Sequence, residues 1–400
     1  MLNPARTAPH LDSMILLVAL VVLTLNMFLP ALPAMAVAFG VSEATMGLAV
    51  SAYMIAAGVL QLLLGPISDR VGRRPVMLVA MTIYALASVG TLVATDFTVF
   101  LIARLLQSMI LAGSVIGLAT LGDMYSTKDA ASKMGTVAAA MAIAPMLGPA
   151  IGGALETFLG WRAIFALYAI LGGAGVLLAW GDWGETLKAT GRSMSEELNA
   201  YRALLGAGLF WAYVLCTTFS IGTFYIFLTG APFVAAQSFG LSSAWVGVGL
   251  GSITGGFMIG SAFSSRFVGK FGLSRLILSG RVLALFGLSN GATLFWFGLS
   301  HPLLLFGATI CVGIGNGLTV ANTGAGLISV RPDLAGTAAG LSGALQLFGG
   351  SFLTGITLIW IGAGATPLRL LVLMIAASIL ALGFAMLAAR AEIGRTRLTE

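Results

Sequence analysis

The chain has 400 residues, of which 58% are hydrophobic and only 8% charged, with a formal net charge of +6. A soluble domain is about 45–50% apolar and about 25% charged, so this composition excludes a cytosolic enzyme, and its hydrophobicity excludes disorder. Long uninterrupted apolar runs also exclude a β-barrel, whose strands alternate in short segments, and leave a polytopic helical membrane protein.

A helix needs about 20 apolar residues to cross the hydrocarbon. That window predicts twelve spans over 14–38, 45–66, 76–95, 98–122, 133–156, 161–183, 207–232, 243–265, 275–297, 302–328, 335–360 and 366–389. The first run is too long for a signal peptide and continues through Pro30 and Pro33. Basic residues gather on one set of connections. These are Arg6, Arg70, Arg73, Arg74, Lys128, Lys133, Lys188, Arg192, Arg202, Arg266, Lys270, Arg275, Arg281, Arg331, Arg390, Arg395 and Arg397. The opposite loops hold only Arg162 and Arg369, so both termini are expected in the cytoplasm. The basic residues form no nucleic-acid footprint.

The one long polar stretch, 184–203, divides the spans six and six. The expected organisation is a bundle over 1–183, a cytoplasmic linker over 184–203 and a second bundle over 204–400. A weak repeat supports the duplication, since Ser264–Gly272 echoes Ser68–Arg74. Six-plus-six repeats are a transporter layout with substrate bound near the midplane. Cys216 and Cys311 lie in apolar segments without metal spacing and read as buried hydrophobes. Gly313, Gly315, Gly317, Gly336 and Gly340 read as close-packing positions, and Phe295 and Trp296 as interface anchors.

The segment after span 2 runs Gly65-Pro66-Ile67-Ser68-Asp69-Arg70-Val71-Gly72-Arg73-Arg74. Gly65 and Pro66 are expected to end the span, and Gly72 to permit a tight turn. A loop that only sets topology needs neither the aspartate nor the glycines. The segment resembles the signature loop of the major facilitator superfamily, G-x-x-x-D-R/K-x-G-R-R/K. The resemblance implies twelve helices in two six-helix bundles and a latch on the cytoplasmic face. It implies a gate of Asp69, Arg70, Arg73 and Asp123, with Asp69 capping the start of span 11 and Arg73 pairing with Asp123.

Within span 5, Ala144–Gly153 carries Pro145, Gly148, Pro149, Gly152 and Gly153. On its own it reads as a kinked, tightly packed helix. It also resembles the antiporter motif of drug exporters in the superfamily, with Ala139 where the longer motif has glycine. Arg104 in span 4 is expensive in lipid unless it faces protein or water. With Gln107 one turn away, it resembles the family's R-x-x-Q motif, whose arginine is linked to proton transfer.

Leu25-Asn26-Met27-Phe28-Leu29-Pro30-Ala31-Leu32-Pro33 resembles the bicyclomycin/chloramphenicol-resistance branch of the drug:proton antiporters. That branch commonly has aspartate at the position of Asn26. No carboxylate occupies the membrane centre, because every acid falls at a span end or in a loop. Cationic substrates are therefore disfavoured, and neutral, zwitterionic or anionic compounds are expected. The expected substrate-lining residues are Asn26, Tyr53, Gln61, Arg104, Gln107, Thr218, Tyr225, Asn316, Thr319 and Gln346.

The expected function is secondary active export of small amphipathic compounds such as drugs, with proton antiport as the coupling implied by the resemblance. An endogenous metabolite exporter and a proton-independent facilitator or uptake carrier are the alternatives. A channel lacks a filter motif, an enzyme lacks clustered chemistry around His10 and His301, and no phosphate loop is present for ATP. The expected partners are the substrate, protons and the lipid bilayer. Neither nucleic acid, cofactor nor metal is expected, and the chain is expected to act as a monomer in the bacterial inner membrane.

Overall fold

A computed structural model describes residues 7–187, 194–362 and 364–399. Arg6, Lys188 and Arg192 lie outside the described residues, as do the side chains of Lys128, Ala139, Arg395 and Arg397. Every element among the described residues is helical. The helices are α1 (Leu11–Phe39), α2 (Glu43–Val71), α3 (Arg73–Val93), α4 (Phe97–Met124), α5 (Thr127–Leu159) and α6 (Arg162–Asp182). They continue as α7 (Gly208–Phe239), α8 (Ser243–Phe271), α9 (Leu273–Trp296), α10 (Pro302–Val330), α11 (Pro332–Gly362) and α12 (Pro367–Thr399). Eleven are long and apolar enough to cross a membrane among the described residues, and the apolar part of α5 is Ile143–Leu159. A short polar helix, Met194–Leu205, precedes α7.

The chain divides into two compact units. One is Met1–Met194 with Ser243–Gly247, the other Ser195–Ser242 with Val248–Glu400.

Four sequence expectations are corrected. Pro66 does not end α2, which runs on to Val71, because one missing N–H is tolerated where neighbouring backbone bonds persist. Arg281 is not a loop residue: it sits inside α9, fully buried. The span drawn over 275–297 already contained it, and the loop assignment followed the basic cluster instead of the helix. A Cβ at Gly336 or Gly340 would meet nothing within 4 Å, so those glycines are not close-packing positions. Cys311 is only half-buried, although Cys216 is buried.

The helices α1 and α4 each contain a 3-10 turn part-way along their length. In α1 the first segment stops at Asn26, a 3-10 turn spans Leu29–Ala31, and a second helix begins at Leu32. Pro30 and Pro33 remove N–H donors there, leaving carbonyls of the first segment to find other partners. In α4 a 3-10 turn at Gln107–Leu111 follows the helical turn that carries Arg104. By contrast α5 runs through Pro145 and Pro149 without a break.

The glycines of α10 work on two faces. Cβ atoms at Gly313 and Gly317 would collide with the Ile253 and Phe257 carbonyls of α8, at 2.0 and 2.4 Å. One at Gly315 would lie 2.3 Å from the Gly280 carbonyl of α9. Both crossings therefore bring backbone against backbone, as small residues allow in membrane interiors.

Candidate functional site

The α2–α3 connection turns on Gly72, whose φ of +106° a residue with a Cβ rarely adopts. A Cβ there would also fall 2.5 Å from Glu185 Oε2. The space is taken because Glu185 caps the N-terminus of α3, accepting from the Arg73 N–H at 3.0 Å and the Arg74 N–H at 3.2 Å. Burial alone would raise the Glu185 carboxyl. Backbone donors from Leu187, Arg73, Arg74 and Thr186 outweigh it and hold the pKa below the ordinary carboxylate value. Nothing in the sequence pattern singles out Glu185, since the α3 amides it caps lie more than a hundred residues away.

Arg73 is buried and reaches three groups. It pairs with Asp69 one turn earlier, donates through Nε to Asp123 Oδ2 at 3.0 Å, and donates to Ser68 Oγ at 2.6 Å. Arg70, between them in sequence, is exposed on the last turn of α2. Gly272 repeats the Gly72 turn between α8 and α9, at φ +78°. Ser264, the counterpart of Ser68, is likewise buried and accepts from Asn322 Nδ2 at 2.7 Å.

The interrupted α1 explains how Arg104 is held. Its guanidinium is fully buried and donates to the Thr24 carbonyl at 2.8 Å and to Gln107 Oε1 at 2.9 Å. The Thr24 carbonyl lies at the C-terminal end of the first α1 segment, the negative end of its dipole. The rings of Phe28 and Tyr53 flank the cation, with centroids 4.2 and 4.3 Å from Cζ. Gln107 is fixed in turn by donating to Ser88 Oγ at 2.9 Å, and Tyr84 bonds the Thr24 hydroxyl at 2.8 Å. Helix carbonyl, amide and aromatic faces thus replace a counter-carboxylate. Arg104, Gln107 and Tyr53 form one cluster, the arginine hydrogen-bonded to the glutamine and stacked on the tyrosine ring.

Asn26, at the break, donates to the Val22 carbonyl at 2.8 Å and leaves its buried Oδ1 without a hydrogen bond. Gly148 and Gly152 of α5 pack on this turn: a Cβ at Gly152 would sit 1.6 Å from the Met27 carbonyl oxygen. Pro149 and Gly153 are buried on the same helix. Gln61 is half-buried in α2.

In the second unit Arg281, expected in a loop, is a fully buried cation. Its Nη2 donates to Asn316 Oδ1 at 2.8 Å and its Nε to Thr319 Oγ1 at 2.9 Å. Asn316 and Thr319, one turn apart on α10, therefore hold a cation. A cavity of about 180 Å³ lies nearby between α7, α10 and α11, lined by Tyr213, Thr217, Thr323, Ser342 and Gln346 among others. Of the expected lining residues only Gln346 reaches it, its amide donating to Ser342 Oγ at 2.9 Å. Thr218 is buried with an unbonded hydroxyl, and Tyr225 is half-buried farther along α7.

The comparisons agree with this construction. The model of the Major Facilitator Superfamily matches residues 14–354. The chain is 30% identical over 313 residues to a chloramphenicol resistance protein of Pseudomonas aeruginosa, covering 76% of this chain and 73% of that one. It is 29% identical over 372 residues to multidrug resistance protein D of Escherichia coli K12, covering 92% of each. The crystal structure of a D-xylose-proton symporter shares the fold, with a TM-score of 0.76 at 14% identity over 94% of this chain and 96% of that one. The chain is a multi-pass membrane transporter, not an enzyme, and it belongs to the major facilitator superfamily.

Proposed function

We propose that this chain exports small amphipathic compounds, neutral, zwitterionic or anionic, by alternating access across a bacterial inner membrane, with both termini in the cytoplasm. The observation that carries the substrate class is electrostatic. Among the described residues the membrane interior holds two fully buried guanidinium groups, Arg104 and Arg281, while all fourteen acids of the sequence lie at helix ends, in loops or at the tail. A cationic compound would find no counter-charge there, and a buried like charge would repel it. The drug-resistance names of the relatives support export as the direction.

Proton antiport is the coupling we assign. Asparagine does not titrate, so Asn26 cannot carry the proton. The carboxylates best placed are Asp69 and Asp123, which share Arg73. Protonation of either would release one arm of that arginine and loosen the face it fastens. The test is accumulation in efflux-deficient bacteria expressing the chain. Chloramphenicol, which is neutral, should accumulate less than in vector controls, ethidium, a cation, should be unaffected, and a protonophore should abolish the difference. Unchanged chloramphenicol accumulation, or selective export of ethidium, overturns the proposal.

A further inference from the structure

The guanidinium of Arg281 is buried with no exposed surface, yet its Nη1 has no hydrogen-bond partner. Its two other contacts are neutral, Asn316 Oδ1 and Thr319 Oγ1, and no carboxylate among the described residues bonds it. An unpaired buried cation with an idle donor is costly in a membrane interior. The fold does not leave it there loosely. The Gly280 and Gly315 crossing draws α9 and α10 together beside it, and Thr319 is itself fixed by donating to the Gly315 carbonyl at 2.8 Å.

The nearby cavity shows what the idle donor could meet. Its lining includes Thr217 of α7 and Thr323 of α10, whose hydroxyl oxygens are 2.7 Å apart. Thr323 lies one turn from Thr319, which accepts from Arg281 Nε, and donates to the Thr319 carbonyl at 3.0 Å. Thr217 and Thr323 stand in a lining that also carries Val320, Leu327 and Ile328. Gln346 and Ser342 add further hydrogen-bonding groups to the same lining.

From this geometry we infer that Arg281 is the anion-recognising group of a substrate site in the second unit, reached through the α7–α10–α11 cavity past the threonine pair. The ligand class is a planar oxyanion, foremost a carboxylate, on an apolar body. Such a group accepts in the guanidinium plane, supplying the partner Nη1 lacks. Arg104 does not serve this way, because helix carbonyl, amide and two rings already satisfy it. The inference deepens the transport reading and rests on it for the passage of the bound anion.

The test is equilibrium binding to the purified full-length chain of two probes with one shape, radiolabelled 2-naphthoate and the neutral 2-naphthamide. Wild-type protein should bind the carboxylate about tenfold or more tightly than the amide. Asn316→Asp places a carboxylate where Nη2 already donates, with no change in side-chain size. It should reduce the preference to below about twofold while leaving the unfolding temperature equal or higher. Arg281→Lys should retain part of the preference and Arg281→Gln none. Absent 2-naphthoate binding, equal affinity for the two probes, or a preference that survives Asn316→Asp would overturn the assignment. Since the readout is binding, a chain that fails to export chloramphenicol but prefers the carboxylate upholds this site while the export reading falls.

Discussion

Arg73 stands between two carboxylates, so its pairings should be non-additive in a way that geometry fixes. Two unit charges about 4 Å apart at an effective dielectric near 20 interact by roughly 4 kcal/mol. The Asp69 and Asp123 side chains retain 32% and 22% of their exposure, whereas Arg73 retains 7%. Solvent at the acids lowers the worth of each pair to about 1–2 kcal/mol. Either Asp69→Asn or Asp123→Asn should cost about that, because the remaining acid still serves the buried guanidinium. The double variant leaves Arg73 with only Ser68 among these partners, and should exceed the sum of the singles by about 1 kcal/mol. Arg73→Gln should cost about 2–3 kcal/mol by leaving both acids unpaired. Exchanging Arg73 for Asp and Asp123 for Arg should not rescue, since the new carboxylate at position 73 faces Asp69 one turn away. The assay is reversible unfolding in mixed detergent micelles. Additivity within about 0.3 kcal/mol, or full rescue by the exchange, would refute a bridging Arg73.

Gly152→Ala should destabilise by about 3 kcal/mol or prevent folding, because its Cβ would meet the backbone oxygen of Met27 at 1.6 Å. Gly173→Ala on α6, with nothing within 4 Å, is the matched control and should unfold at the wild-type temperature; equal behaviour of the two would contradict the α1–α5 contact. Glu185→Gln should cost about 0.5–1 kcal/mol at neutral pH through the weakened α3 cap. The folded-state pKa of Glu185 is depressed, so its contribution is full above the ordinary 4.5 and fades as pH falls through the folded value. The gap between wild type and variant should accordingly close in acid, and a gap independent of pH would refute the cap. His10, hydrogen-bonded to Asp182 and attracted by its charge, has its pKa raised above 6.5. That contact is fully present below 6.5 and is lost as pH rises through the folded value. A histidine titration by NMR should show a midpoint above 6.5 that falls in Asp182→Asn, and a midpoint unmoved by that change would exclude the pair.

Much of the fold was legible because lipid leaves few options. Apolar run length locates the helices, and the bias of lysine and arginine separates the two sets of loops. Less legible was anything depending on which residues meet across the chain. Asn316 and Thr319 were visible as a polar pair on one helix face, but their partner Arg281 was counted with the basic loop beside it. The residues that hold Arg104 follow from the break in α1: Pro30 and Pro33 announce an interruption, while the carbonyl it frees, that of Thr24, has no mark in the sequence. Glu185 reads as one more linker charge until Gly72 turns α3 toward it. The α7–α10–α11 cavity gathers small polar residues that individually resemble ordinary interhelical hydrogen bonds, so only Gln346 was anticipated there.

Transport itself is tested most directly by the purified chain in sealed proteoliposomes, following entry of radiolabelled chloramphenicol with an acid lumen and again after nigericin collapses the gradient. Accumulation above that of protein-free vesicles, present with the acid lumen and lost with nigericin, is the expected result. Entry no faster than in protein-free vesicles under either condition would contradict it.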